Sequence, residues 1–159
     1  MPQVSRRREL AFLLYDVARL LRTLADQRVR ALDMTRAQWA VLAALERAEG
    51  LKQAELAEIL EIRPITLTRL VDRLCAGGLV ERRADPDDRR AKRLFLTPAA
   101  RPLVARLSRL GEDLMQEVLA GIDATSVDFL LKQLSRTKDN LRNALPANGH
   151  RVASWPNPR

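Results

Sequence analysis

The chain has one cysteine and one histidine, which leaves most hydrolase and metal constellations without parts. A single thiol excludes a disulfide framework and any all-cysteine metal site. His150 stands in a tail rich in Pro, Gly and Asn, where a solvated side chain is expected. With no nucleophile–base pair and no ligand cluster in the pattern, no catalytic step, cofactor or metal is expected. Aromatics are scarce, at 4%, and no apolar run approaches the roughly 18 residues of a membrane span. Arg6-Arg7-Arg8 before Ala11–Tyr15 imitate a secretory leader, but Asp16 and Arg19 interrupt the run and no small-residue cleavage site follows. The expected location is cytoplasmic.

Cations dominate what is present. Lys and Arg total 28 against 20 Asp and Glu, a net charge of +8, and only four of the 28 are lysine. Arginine is the fork-shaped partner that suits phosphate and guanine. Residues 63–97 hold nine basic and five acidic side chains, whereas residues 36–62 hold three basic and five acidic ones. The positive surface is therefore concentrated in the middle of the chain, with a smaller basic arm at residues 6–8.

The hydrophobic period predicts six helices. Leu10, Leu13, Leu14, Val17, Leu20, Leu21 and Leu24 form one stripe of a long first helix within residues 1–33. Thr35 can cap a second helix, Arg36–Arg47, with Gly50 as its stop. A third is expected over Gln53–Leu60. Pro64, at a first helical position, opens a fourth that ends near Gly77-Gly78 and buries Leu67, Leu70, Val71 and Leu74. The period then changes. Leu79–Arg83 and Lys92–Leu96 read as two strands around a turn-rich loop, Asp85–Ala91. Thr97-Pro98 starts a fifth helix (Leu103, Leu107, Leu110, Leu114, Val118), whose beginning Pro102 should kink. Ser126 starts a sixth (Val127, Leu130, Leu131, Leu134, Leu141, Leu145), and residues 146–159 read as a loose tail.

The segment from Gln53 to Leu74 has the layout of a helix-turn-helix, whose second helix can enter a major groove about 12 Å wide. Pro64, Ile65, Thr66, Thr68 and Arg69 lie near the end that meets base edges, and Arg63 and Arg73 extend the basic face. Glu61 occupies the turn position after Leu60, where a left-handed backbone would cost roughly 1 kcal/mol. The two strands form a wing that sets Arg89, Arg90 and Lys92 beside the second helix. Asp88 can brace one of these arginines while the other, Arg90, reaches a narrow minor groove. The same segments could also be a helical hairpin with a solvated basic face and a loop of self-satisfied ion pairs. Trp39 is either core or the wall of a ligand pocket between helices 1, 2 and 5. Tyr15 has the same two readings. Cys75, without a second cysteine to resolve it, reads as an inert small residue.

Asp85-Pro-Asp-Asp-Arg-Arg-Ala-Lys-Arg-Leu-Phe-Leu-Thr97 resembles the wing of MarR-type transcriptional regulators, and Asp88–Arg93 resembles the SlyA branch. Thr68–Leu74, Gly78-Leu79-Val80 and Gln38–Leu42 are similar to the same family, over about residues 8–145. The resemblance implies a winged helix-turn-helix homodimer, mainly helical with a small β-hairpin wing, joined through its terminal helices. It also implies a repressor whose DNA affinity a small aromatic acid lowers. On that reading Pro64–Arg69 address the major groove, and Arg90, braced by Asp88, the minor groove.

The expected division is a dimerisation helix with a basic arm at 1–33, a DNA-binding domain at 34–97, dimerisation helices at 98–145 and the tail at 146–159. The expected partners are double-stranded DNA with a pseudo-palindromic operator, a second copy of the chain and an aromatic carboxylate, with no membrane. Two other functions suit the same residues: a nucleoid-type or counter-silencing DNA binder with little sequence preference and no effector, and a helical protein-interaction module.

Overall fold

A computed structural model describes residues 5–88 and 91–145. Helix α1 spans Arg6–Val29 and starts at Ser5, whose hydroxyl accepts the Arg7 N–H. One 3-10 turn, Arg30–Leu32, and a left-handed Asp33 (φ 53°) then carry the chain to α2, Arg36–Arg47. The single helix expected through residue 33 therefore ends at Val29. Apolar periodicity could not mark that end, because Val29 and Met34 on either side of the turn both enter the core. Thr35 caps α2 as expected: its Oγ1 accepts the Gln38 N–H at 3.2 Å, and the Gln38 side chain accepts the Thr35 N–H at 2.9 Å. The helix stops at Ala48, which turns extended, two residues before the left-handed Gly50 expected to end it.

Strand β1, Leu51–Lys52, follows, then α3 (Gln53–Ile59), α4 (Pro64–Ala76), β2 (Val80–Ala84) and β3 (Lys92–Leu96). The sheet has three antiparallel strands in the order β1-β3-β2, with Leu51 opposite Leu94 and Val80 opposite Leu96. A two-residue strand carries no readable alternation, so the hairpin expected from sequence lacked its third member. Thr97 caps a 3-10 turn, Pro98–Ala100, and α5 begins anew at Arg101, running to Val118. That restart removes the expected kink: Pro102 falls in the first turn of α5, where its missing N–H has no helical acceptor to lose. The last helix, α6, spans Ala124–Ala144. It is capped by Asp123, which accepts the Ser126 N–H at 3.0 Å, so Ser126 is the capped residue and not the start.

The core lies between Val29 and Leu107. Val41, Leu42 and Leu45 of α2, Leu56 of α3, Leu67, Val71 and Leu74 of α4, Val80 and Leu94 of the sheet and Leu107 of α5 are buried together. The terminal helices differ. Val29 is the buried residue of α1, and α6 has none. Leu10, Leu13, Leu20, Leu130, Leu134 and Leu141 all face outward. No helix among the described residues is long and apolar enough to cross a membrane.

Candidate nucleic-acid interface

The turn between α3 and α4 is built from backbone bonds. Ile62 donates to Ala57 O at 3.1 Å and Glu61 to Glu58 O at 3.1 Å, a Schellman closure with Glu61 left-handed (φ 52°). That places a β-carbon in a region glycine prefers, at a cost of roughly 1 kcal/mol. Ile62 packs against the core and sets the direction in which the chain leaves the turn. Arg63, extended, precedes Pro64 at the first position of α4.

The core face of α4 is Leu67, Val71 and Leu74, so the 3.6-residue period turns Ile65 and Arg69 directly away from it. Arg63, Pro64, Ile65, Thr66, Arg69 and Arg73 are all exposed. Thr68 is half-buried: its hydroxyl donates to Pro64 O at 2.9 Å and accepts from Gln53 Nε2 at 2.8 Å. Gln53, not singled out from the sequence, thus ties the start of α3 to the first turn of α4.

The basic residues of the 63–97 stretch fall into two sets. Arg82 pairs with Asp72 at 2.7 Å and joins β2 to α4. Arg83 pairs with Glu81 and lies over the Phe95 ring, 4.2 Å from its centroid. Arg93 pairs with Asp85 at 2.7 Å and reaches Gly50 O at 3.3 Å. These three hold the wing to itself and to the body. Arg63, Arg69, Arg73 and the exposed Lys92 make no ion pair among the described residues. Arg89 and Arg90, the expected wing-tip contacts, lie outside the described residues, as does a pairing of Arg90 with Asp88.

The side chain that organises the wing is Asp85, whose place in the sequence marks it only as part of a turn. Its carboxylate is fully buried and faces Arg93 and, at 3.4 Å, Lys52 of β1. Oδ1 accepts the N–H of Asp87 at 2.8 Å and of Asp88 at 3.1 Å. The Asp87 N–H, foremost, with Lys52 and Arg93, holds this carboxyl below its ordinary value, although burial opposes that shift. The signal was the spacing Asp85–Asp87-Asp88, which is that of an Asx turn.

A cleft of about 520 Å³ opens between α2 and α5, walled by Trp39, Ala43, Leu107 and Met115 and rimmed by Arg36, Arg47, Glu46 and Glu112. Its floor exists because residue 111 is glycine: a β-carbon there would stand 3.3 Å from the Trp39 ring. Trp39 therefore lines a pocket, but one without α1 in its wall. Tyr15, 66% exposed on α1, is not brought to it. Burial pushes the Cys75 thiol above its usual pKa, which favours the unreactive protonated form.

Residues 32–91 match the MarR family. Over 84% of this chain and 98% of its own length, the structure of the transcriptional regulator PA3341 superposes with a TM-score of 0.76 at 36% identity. Wild-type apo MarR from E. coli gives 0.72 at 31% identity, covering 80% of this chain and 95% of that one. A mutant of the same E. coli protein, complexed with operator DNA, gives 0.72 at 29% over 86% and 99%. With a fold, a wing and a helix-turn-helix shared over nearly the full length of these relatives, the chain belongs to the MarR family.

Proposed function

We propose that the protein is a cytoplasmic, homodimeric transcriptional repressor that binds double-stranded DNA in a sequence-dependent way and carries out no catalytic step. The observation that carries this reading is the exposed cations of α4 and the wing: Arg63 at the N-cap, Arg69 and Arg73 on the helix and Lys92 on β3 have no ion pair among the described residues. Exposed guanidinium groups without an ion pair among the described residues, carried by a helix whose other face is anchored in the core, suit a groove lined with phosphates. In this reading residues 34–97 bind DNA, with α4 in the major groove. Arg90, braced by Asp88 and flanked by Arg89, addresses the minor groove.

Residues 1–33 and 98–145 supply the dimer contacts. The exposed leucines of α1 and α6, together with a 410 Å³ apolar groove walled by Leu20, Leu24 and Val118, support that division. Two-fold symmetry then sets two recognition helices about 34–36 Å apart and calls for a pseudo-palindromic operator. A small aromatic carboxylate is the proposed effector, with the Trp39 ring as the stacking wall of its cleft and Arg36 and Arg47 at the rim. Tyr15 belongs to the α1 face and has no part in that cleft. Selection of bound duplexes from a random pool tests the reading. An inverted repeat with half-sites about ten base pairs apart is expected. Recovery of no common sequence would favour the low-specificity, nucleoid-type binder, and indifference to DNA the interaction module.

A further inference from the structure

The face of α4 that points away from the core is not uniformly basic. Ile65 is 60% exposed at the second position of the helix, one turn before Arg69 on the same side. No packing among the described residues accounts for a β-branched apolar side chain there, since Leu67, Val71 and Leu74 already form the buried face. Thr68 adds to the effect. Its single hydroxyl proton goes to Pro64 O, and its oxygen also accepts from Gln53, so the group has no proton left to offer a base. The start of the helix therefore presents an exposed apolar side chain with Arg63 just before it and Arg69 one turn after it.

Those cations fit a polyanion, and among the four bases thymine alone carries a methyl group into the major groove. Building on the DNA-binding reading above, we propose that Ile65 is a specificity-determining residue that reads the C5-methyl of one thymine in each half-site. Side chains at i and i+4 lie about 5–6 Å apart, and stacked base pairs about 3.4 Å. The thymine therefore stands one or two base pairs from the base addressed by Arg69, whose preferred partner is guanine.

Deoxyuridine deletes only the methyl group, which makes the test chemical as well as genetic. Each thymine of a duplex selected from the random pool is replaced in turn, and affinity is measured for the wild type, Ile65→Ala and Ile65→Val. One position per half-site should weaken wild-type binding roughly three- to fivefold, the weight of one buried methyl. Ile65→Ala should bind the thymine and deoxyuridine duplexes alike, and Ile65→Val should keep part of the difference. Unchanged melting temperatures show that the exposed substitutions leave the fold intact. A selected site without a methyl-dependent thymine, or a dependence that survives in Ile65→Ala, overturns this proposal and leaves the DNA-binding reading standing. Recovery of no common sequence overturns this proposal together with the sequence-dependent reading, and indifference to DNA overturns the DNA-binding reading itself.

Discussion

The Arg93 guanidinium meets the Asp85 carboxylate where β2 gives way to the tip of the wing, Nε to Oδ2 at 2.7 Å, with the carboxylate fully buried. The same carboxylate receives the first two amides of the turn beyond Pro86 through its other oxygen. One anion thus joins β3 to the start of the tip, and Lys52 adds β1 to the same centre.

Removing that anion should weaken DNA binding, although simple charge counting predicts the opposite. Asp85→Ala loses both ion pairs and the oxygen that accepts both amides, and affinity should fall roughly tenfold, about the weight of one lost groove contact. Asp85→Asn keeps the oxygen facing the Asp87 and Asp88 amides and should recover part of the loss. Fluorescence anisotropy across a salt series measures it. Tighter binding by Asp85→Ala would show that the wing acts only through its charge. Asp88→Ala, in parallel, tests the proposed Arg90 brace, with weaker binding again expected.

The pH dependence has a fixed sign. The Asp85 carboxyl is held below its ordinary value of about 3.9. A depressed folded-state pKa contributes stability above the unfolded value, and that contribution is lost as pH falls through the folded value. From pH 5 to 8 this group should change nothing. Below about pH 4, urea midpoints should fall more steeply for the wild type than for Asp85→Asn. Parallel acid limbs would contradict the assignment.

Glu61→Gly should stabilise the protein by up to about 1 kcal/mol, because glycine adopts the left-handed turn without the β-carbon cost. Thermal unfolding would show a higher midpoint with DNA affinity unchanged. A lower midpoint would mean that the Glu61 side chain contributes more than its backbone costs.

Gly111→Ala separates helix stability from the cleft. Alanine favours a helix interior by about 0.8–1 kcal/mol over glycine, yet its β-carbon meets the Trp39 ring at 3.3 Å. The variant should keep its fold and DNA affinity and lose the fluorescence response to aromatic carboxylates, read in a Trp155→Phe background. A full response would place the ligand elsewhere.

Leu130 and Leu134, exposed on α6, should tolerate charge in the isolated chain and not in a dimer. Leu130→Arg with Leu134→Arg should give a folded monomer in sedimentation, with DNA affinity reduced at least tenfold through loss of the second half-site contacts. A dimer that survives both changes would exclude α6 from the interface.

Helices α2 and α4 were legible because their ends carry local chemistry: Thr35 with Gln38, and Pro64 with the double glycine beyond. The left-handed Glu61 was legible as a turn position. Strand β1 was not, since its two residues take their conformation from Leu94 and Arg93, more than forty positions away. The α5 start misled because Pro98 and Pro102 serve two successive helix beginnings and not one. Of the candidate site, residue positions along α4 could be read directly. The sorting of arginines into wing fasteners and exposed cations could not, because each pairing depends on partners that only folding brings close.

Strand β3 is shared by both other strands, and this bears on how such a wing can change by mutation. Residues added between Pro86 and Ala91 lengthen a turn whose two flanks are already fastened at Asp85 and Arg93, so reach toward DNA can vary while the base stays fixed. A single residue inserted between Arg93 and Leu94 would exchange the two faces of the rest of the strand, turning Leu94 and Leu96 outward and Phe95 inward. Length variation is thereby steered to the tip, and the ladder beneath it is closed to insertion.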